Sequence, residues 1–116
     1  MPHTSIKDFR AEREELNELT LDKANLEIRR FFSLDSQTYR DGALPVQTKE
    51  LLGLVASMVL RCDDCIFYHL DRCHEEGVTT DELQDAFAVA LVVGGSIVIP
   101  HLRRAVRAWE ELGQDS

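Results

Sequence analysis

The stretch VQTKELLGLVASMVLRCDDCIFYHLDRCHEEG, Val46 to Gly77, decides how the chain is read. In its first half Leu51, Leu52, Leu54, Val55, Met58, Val59 and Leu60 surround most of a helical circumference. Such a helix is buried in a core or an interface. Its second half, from about Cys62 to Glu76, is a second helix. Gly77 ends it, in the place where the chain just past a helix favours glycine. One carboxylate, Glu50, interrupts the apolar helix, and the second helix carries Cys62, Cys65, His69 and Cys73.

Outward from this pair, helical patterning continues on both sides. Thr79 and Glu82 fit a capping box opening a third core helix through Leu83, Phe87 and Leu91 to about Val93. Gly94-Gly95 interrupts it, and Pro100 limits the next segment. A last helix covers about His101 to Leu112, with Leu102, Ala105, Val106 and Trp109 inward. Upstream, Ile6, Phe9, Arg13, Leu16 and Leu19 recur at helical steps over about Ser5 to Leu19. Thr20 can cap a further helix with Leu21, Ala24, Ile28, Phe31 and Phe32 as its apolar side. Asp41-Gly42 and Pro45 mark a turn. The pattern predicts an all-α single domain, with an N-terminal helical arm over residues 1–44 and a core over 45–116. The arm holds little recognisable chemistry and is expected to pack on the core or on a neighbouring subunit.

The 116 residues suit one domain. A net charge of −8 argues against nucleic-acid or anionic-membrane partners, which need a basic face. The basic residues Arg103, Arg104 and Arg107 read as complements to a helix C-terminus. The longest nearly uncharged apolar run, Ala86 to Pro100, is short for a bilayer, and the first residues lack the apolar stretch of a secretory signal. A cytoplasmic protein is expected, where a close cysteine pair is catalytic, redox-sensing or metal-binding rather than structural.

Two cysteines three apart at a helix N-terminus can close a small disulfide, and the helix dipole and free amides there favour the reactive thiolate. Asp63 and Asp64 suit a first helical turn, yet their charges oppose a thiolate. A zinc site is a competing reading, with Cys62, Cys65, His69 and Cys73 on one stripe. Cys73 lies about 12 Å beyond Cys65 along a helix, and zinc–sulfur bonds are only ~2.3 Å, so one ion cannot hold both. The redox reading is favoured and no metal or other cofactor is expected. Cys73 reads as a small buried apolar residue. In one continuous helix Glu50 would stand ~18 Å from Cys62. If the chain turns near Leu60-Arg61 and the two helices run antiparallel, Glu50 faces His69, which is one turn from Cys65. Glu50 then orients or protonates His69, and His69 exchanges a proton with Cys65. His101 is a candidate pocket residue or a plain helix-start residue.

The order Glu50-x11-Cys62-x2-Cys65-x3-His69 resembles the signature of the AhpD-like alkylhydroperoxidase core in the carboxymuconolactone decarboxylase superfamily. DGALPVQTKELLGLVASMV and EEGVTTDELQDAFAVALVVGG resemble that family's first and third core helices, so the likeness covers about Asp41 to His101. It implies an AhpD-like helical bundle assembling as trimers or hexamers. It also implies peroxiredoxin-type thiol peroxidase or disulfide reductase activity, and a lipoyl- or thioredoxin-type electron donor. Carried over, Cys62 and Cys65 are the redox pair and Glu50 and His69 the proton relay. Asp64 stands where the best-known alkylhydroperoxidase has a histidine before its second cysteine. The decarboxylase branch does not depend on a CxxC. A non-catalytic oligomeric module that senses redox state or binds a partner is the alternative.

Overall fold

The computed structural model describes residues 5–114, and among them the chain is helical with no strand. In order the helices are α1 (Ile6–Lys23), α2 (Leu26–Thr38), α3 (Val46–Val59), α4 (Asp63–Glu75), α5 (Thr80–Gly94) and α6 (Ile99–Gln114), with a short 3-10 turn at Ser96–Val98 before α6. The all-α expectation holds. So does the turn between the two central helices. Leu60 closes α3, Arg61 takes a left-handed φ of 60°, and the Cys62 amide donates back to the Ser57 carbonyl at 3.0 Å. The chain thus reverses within a few residues and lays α4 along α3.

Local chemistry sets most boundaries. Thr79 and Glu82 form the reciprocal capping box at the start of α5. Gly77, with φ of 79°, follows the end of α4, where a Cβ would be strained. Two boundaries differ from the sequence pattern. Thr20 does not cap a second helix. α1 runs on to Lys23, and Asn25 caps α2 by accepting the Ile28 amide. Asn is as good a cap as Thr, and Leu21 to Lys23 are good enough helix formers to continue the first helix. Pro100 does not delimit α6 but lies in its first turn, where an amide hydrogen would have no partner.

α3 packs between α4 and α5, and α6 closes over α4. Leu54 and Met58 of α3, Ile66, Phe67 and Leu70 of α4, Leu83 and Phe87 of α5, and Ala105 and Leu112 of α6 form one buried cluster. α1 belongs to the same core through its first turn. Ile6 and Phe9 are buried, and Phe9 meets Phe67 edge-on with ring centroids 5.7 Å apart. Arg10 then fixes α1 to α4 by a two-point pairing with Asp71, one contact of which measures 2.7 Å. α2 buries none of its residues.

Phe9 is therefore the largest apolar anchor of α1, beside Ile6 and the Arg10–Asp71 pair. Phe9→Ala is expected to cost ~3–5 kcal/mol, read as a lower urea midpoint, with a matching loss of Phe67 packing. An unchanged midpoint would mean that α1 is held elsewhere.

Candidate functional site

α3 and α4 meet at a buried ion pair. Glu50 is 0% exposed, and its Oε1 lies 2.8 Å from Nδ1 of His69, itself 7% exposed. Arg72 approaches from one turn further along α4, with Nε 3.5 Å from Glu50 Oε2. That distance is long for a hydrogen bond, and Oε2 has no hydrogen-bond partner in the described structure. The Arg72 guanidinium is in turn held by Glu75 at 2.6 Å and Glu76 at 3.3 Å. Burying a carboxylate this far is tolerated only with such partners.

With Nδ1 directed at the Glu50 carboxylate, the Nε2 side of the imidazole faces the opposite way. Gly53, one turn on from Glu50, makes room for it. A Cβ at Gly53 would stand 2.6 Å from His69 Cε1, 2.7 Å from its Nε2 and 2.9 Å from the Tyr39 hydroxyl. Those separations are well inside van der Waals contact, so only a glycine lets this ring lie against α3. Tyr39 comes from the end of α2. Its ring sits 5.3 Å from the imidazole, tilted by 43°, and Tyr68 meets the same imidazole edge-on at 5.2 Å.

Cys62 is the N-cap residue of α4, and Cys65 lies in its first turn. The Cys62 thiol donates to Cys65 Sγ at 3.0 Å. Both are free thiols, Cys65 exposed and Cys62 half-buried. Closing to a disulfide requires the sulfurs to approach by about 1 Å. Cys65 and His69 line one cavity of about 400 Å³, together with Tyr68, Asp64, Asp35 and residues of α1 that include Phe9, Arg13 and Leu16. The Arg13 guanidinium lies over the Tyr68 ring, 4.2 Å from its centroid. The arm thus contributes walls to the thiol cavity, a role its sequence did not suggest. A larger cavity of about 990 Å³ opens on the far side of Tyr68, and Glu50, Arg72 and Tyr39 face it.

The electrostatics differ from a helix-activated thiolate. Burial, the hydrogen bond from Cys62, the charge of Cys62 when ionised, Asp64 and Asp35 together push the Cys65 thiol up to about 11. Burial and acidic neighbours of this kind disfavour the charged thiolate. Asp63 is turned away from the sulfurs. Its carboxylate holds His101 Nδ1 at 2.7 Å and Arg104 Nε at 3.0 Å, which ties the first turn of α4 to α6. His101 therefore stands in a bridge to the residue after Cys62. Cys73 is fully buried, and burial with the nearby Glu50 charge pushes its thiol up to about 12. Among the described residues, no group of three or more His, Cys, Asp and Glu side chains gathers as metal ligands do.

The arrangement brings the four sequence candidates, Glu50, Cys62, Cys65 and His69, to one place. Tyr39, Gly53 and Arg72 escaped the sequence reading. Arg72 had a usable signal, since it lies one turn from His69 on the same helix. Tyr39 had none, because its approach depends on how the arm folds back.

These features define an all-helical protein with a dithiol at a helix start beside a buried Glu–His pair. The chain belongs to the carboxymuconolactone decarboxylase family, whose model matches residues 28–110, and so to the AhpD-like superfamily. Two crystal structures of a Thermotoga maritima protein are similar to it. One has 61% identity and a TM-score of 0.91, over 93% of this chain and 95% of that one. The other has 60% identity and a TM-score of 0.88, over 92% and 91%; its subject is a member of the same family for which involvement in an antioxidative response has been suggested. An apo structure of a Legionella pneumophila family member has 25% identity and a TM-score of 0.75, covering 92% of each chain. Among sequences, a Paracoccus denitrificans protein known as uncharacterized protein 4 in the cox locus is 28% identical over 82 residues, 71% of this chain and 74% of that protein. No described helix is long and apolar enough to cross a membrane.

The thiol environments predict distinct titrations. In reduced protein, alkylation of Cys65 should climb steadily with pH toward a midpoint near about 11, because the raised value keeps the proton on sulfur at neutrality. Cys73 should stay unmodified until the fold opens. Mass mapping of alkylated peptides at a series of pH values checks both. A Cys65 midpoint near 7 would contradict the environment described.

Proposed function

We propose that the protein is a thiol-dependent antioxidant oxidoreductase, a peroxidase or disulfide reductase cycling Cys62 and Cys65 between dithiol and disulfide. The observation that carries this reading is a pair of sulfurs 3.0 Å apart, of which Cys65 shares a cavity with the His69 imidazole, which is backed by Glu50. The suggested antioxidative role of the Thermotoga relative supports it.

The chemistry follows from the raised thiol. A resting Cys65 that holds its proton needs a base at the moment of reaction, and His69 is the adjoining one. Its Nε2 takes the Cys65 proton while Glu50 stabilises the resulting imidazolium through Nδ1. The thiolate attacks one oxygen of a hydroperoxide, forming an S–O bond as the O–O bond breaks. The departing alkoxide takes the proton back from His69 and leaves as an alcohol. The Cys62 sulfur then attacks Cys65 Sγ, its proton leaves with the hydroxyl as water, and the disulfide closes. A dithiol reductant, of lipoyl or thioredoxin type, restores both thiols by exchange and leaves as its own disulfide. A second reading is a redox sensor oxidised once and slowly. The protonated resting state of Cys65 favours it over a rapid peroxidase. Multiple turnovers with peroxide and a dithiol reductant separate the two.

Cys62→Ser and Cys65→Ser should each abolish turnover, whereas Cys73→Ser should keep it. Mass mapping after mild oxidation should locate the bridge between Cys62 and Cys65. A dominant bridge to Cys73 would end this assignment. Glu50→Gln keeps the shape and removes the charge behind His69. Turnover near neutrality should fall at least about tenfold, within the usual range of acid–base contributions, with the fold retained.

We further infer a homo-oligomer, a trimer or hexamer by the family likeness. Leu26, Phe31 and Leu34 of α2 and Val92 and Val93 of α5 expose their apolar side chains in the single chain, Val92 by 86%. Together they make more apolar surface than a monomer usually leaves open. Light scattering at micromolar concentration should give a multiple of the 13.2 kDa chain mass. A clean monomer would refute it.

A further inference from the structure

We propose that Tyr39 is a positioning residue of the relay, its hydroxyl holding the Nε2 face of His69 across Gly53. This rests on the Glu50–His69–Cys65 reading above and extends it to the arm. Three independent features place the hydroxyl there. First, Nδ1 of His69 is committed to Glu50 at 2.8 Å, so in the neutral ring the free lone pair is on Nε2. Second, Nε2 and the Tyr39 hydroxyl both crowd the same point above Gly53, at 2.7 and 2.9 Å from where a Cβ would be. The two groups are therefore close enough for one water to bridge them. Third, the position of Tyr39 is built in. The Lys49 ammonium donates to the Thr38 and Arg40 carbonyls, 2.8 Å each, and so clamps the backbone on both sides of Tyr39.

Lys49 immediately precedes Glu50, and Gly53 follows one turn later. The same turn of α3 thus supplies the carboxylate for one side of the imidazole, the gap for its ring, and the clamp for the tyrosine on its other side. The charged and titratable groups around the imidazole are Glu50 from α3, Cys65, Tyr68 and Arg72 from α4, and Asp35 with Tyr39 from α2. The phenol stays protonated at working pH, since burial, Asp35 and Glu50 all raise its value further. It is therefore a hydrogen-bond donor suited to the Nε2 lone pair. When Cys65 is to be deprotonated, the hydroxyl rotates aside as Nε2 takes the thiol proton within the cavity that Cys65 and His69 share. No proton leaves Tyr39 in this scheme.

The test reads Cys65 alone, in a Cys62→Ser, Cys73→Ser background, by its alkylation rate with a neutral reagent across the neutral and alkaline range. Tyr39→Phe keeps the ring and removes the hydroxyl. It should move the profile to higher pH and lower the rate near neutrality by about fivefold, the worth of one hydrogen bond, without moving the melting temperature. Lys49→Met, which frees the α2 end, should shift the profile in the same sense. Glu50→Gln is measured alongside, so that the relay is judged separately from Tyr39. A Tyr39→Phe profile superimposed on its parent while Glu50→Gln displaces it would overturn this proposal and leave the relay standing. Superimposed profiles for both variants would overturn the proposal and the relay together. A lower melting temperature with an unmoved profile would make Tyr39 a packing residue and overturn the proposal as well. Alkylation needs no peroxide, so absence of peroxidase turnover does not decide the outcome.

Discussion

The buried pair between Glu50 and His69 is the constraint on which the rest depends. A carboxylate with no exposed surface is costly in an apolar helix unless a partner is delivered to it. That requirement locks α4 to α3 in one register. Once His69 Nδ1 must meet Glu50, Cys65 is placed one turn before the imidazole and Arg72 one turn after it. The dithiol, the imidazole and the buried charge then follow from a single helix–helix alignment. The abrupt reversal through Arg61 fits the same alignment, because a longer connection would allow α4 to slide.

The acid–base balance of the site is set by competition between elements. A helix N-terminus lowers a thiol, whereas burial and two neighbouring aspartates raise it. At Cys65 burial, Cys62, Asp64 and Asp35 all act to raise the thiol. Asp63 would have added to that penalty, but α6 withdraws it through His101 and Arg104. A raised thiol and the His69 imidazole thus share one cavity. Cys73 is separated from this chemistry by complete burial.

The arm is tied into the core at one end and exposed along much of the rest. Ile6, Phe9 and Arg10 attach α1, while α2 buries nothing of its own within the chain. Its far end is nevertheless fixed, since Lys49 holds the carbonyls around Tyr39. An arm of two helices held at its two ends can shape the thiol cavity while the apolar side chains of α2 stay exposed.

The sequence by itself determined the central helices, the capping box at Thr79, the glycine after Glu76, and the grouping of Glu50, Cys62, Cys65 and His69. Each of these is a matter of spacing along a helix or chemistry at its end, which are local properties. The handover from α1 to α2 was misread at Thr20, because two acceptable caps lie five residues apart and propensity does not choose between them. Only the tertiary structure decided the roles of Tyr39, Gly53 and Arg72, the diversion of Asp63 to α6, and the raised thiol at Cys65. Tyr39 reaches His69 by the folding back of an arm thirty residues away in sequence, and Gly53 matters because of what lies against it. The charge state of Cys65 depends on its burial and on residues of both α4 and α2. No pattern within one helix carries that information, because it exists only as distances between them.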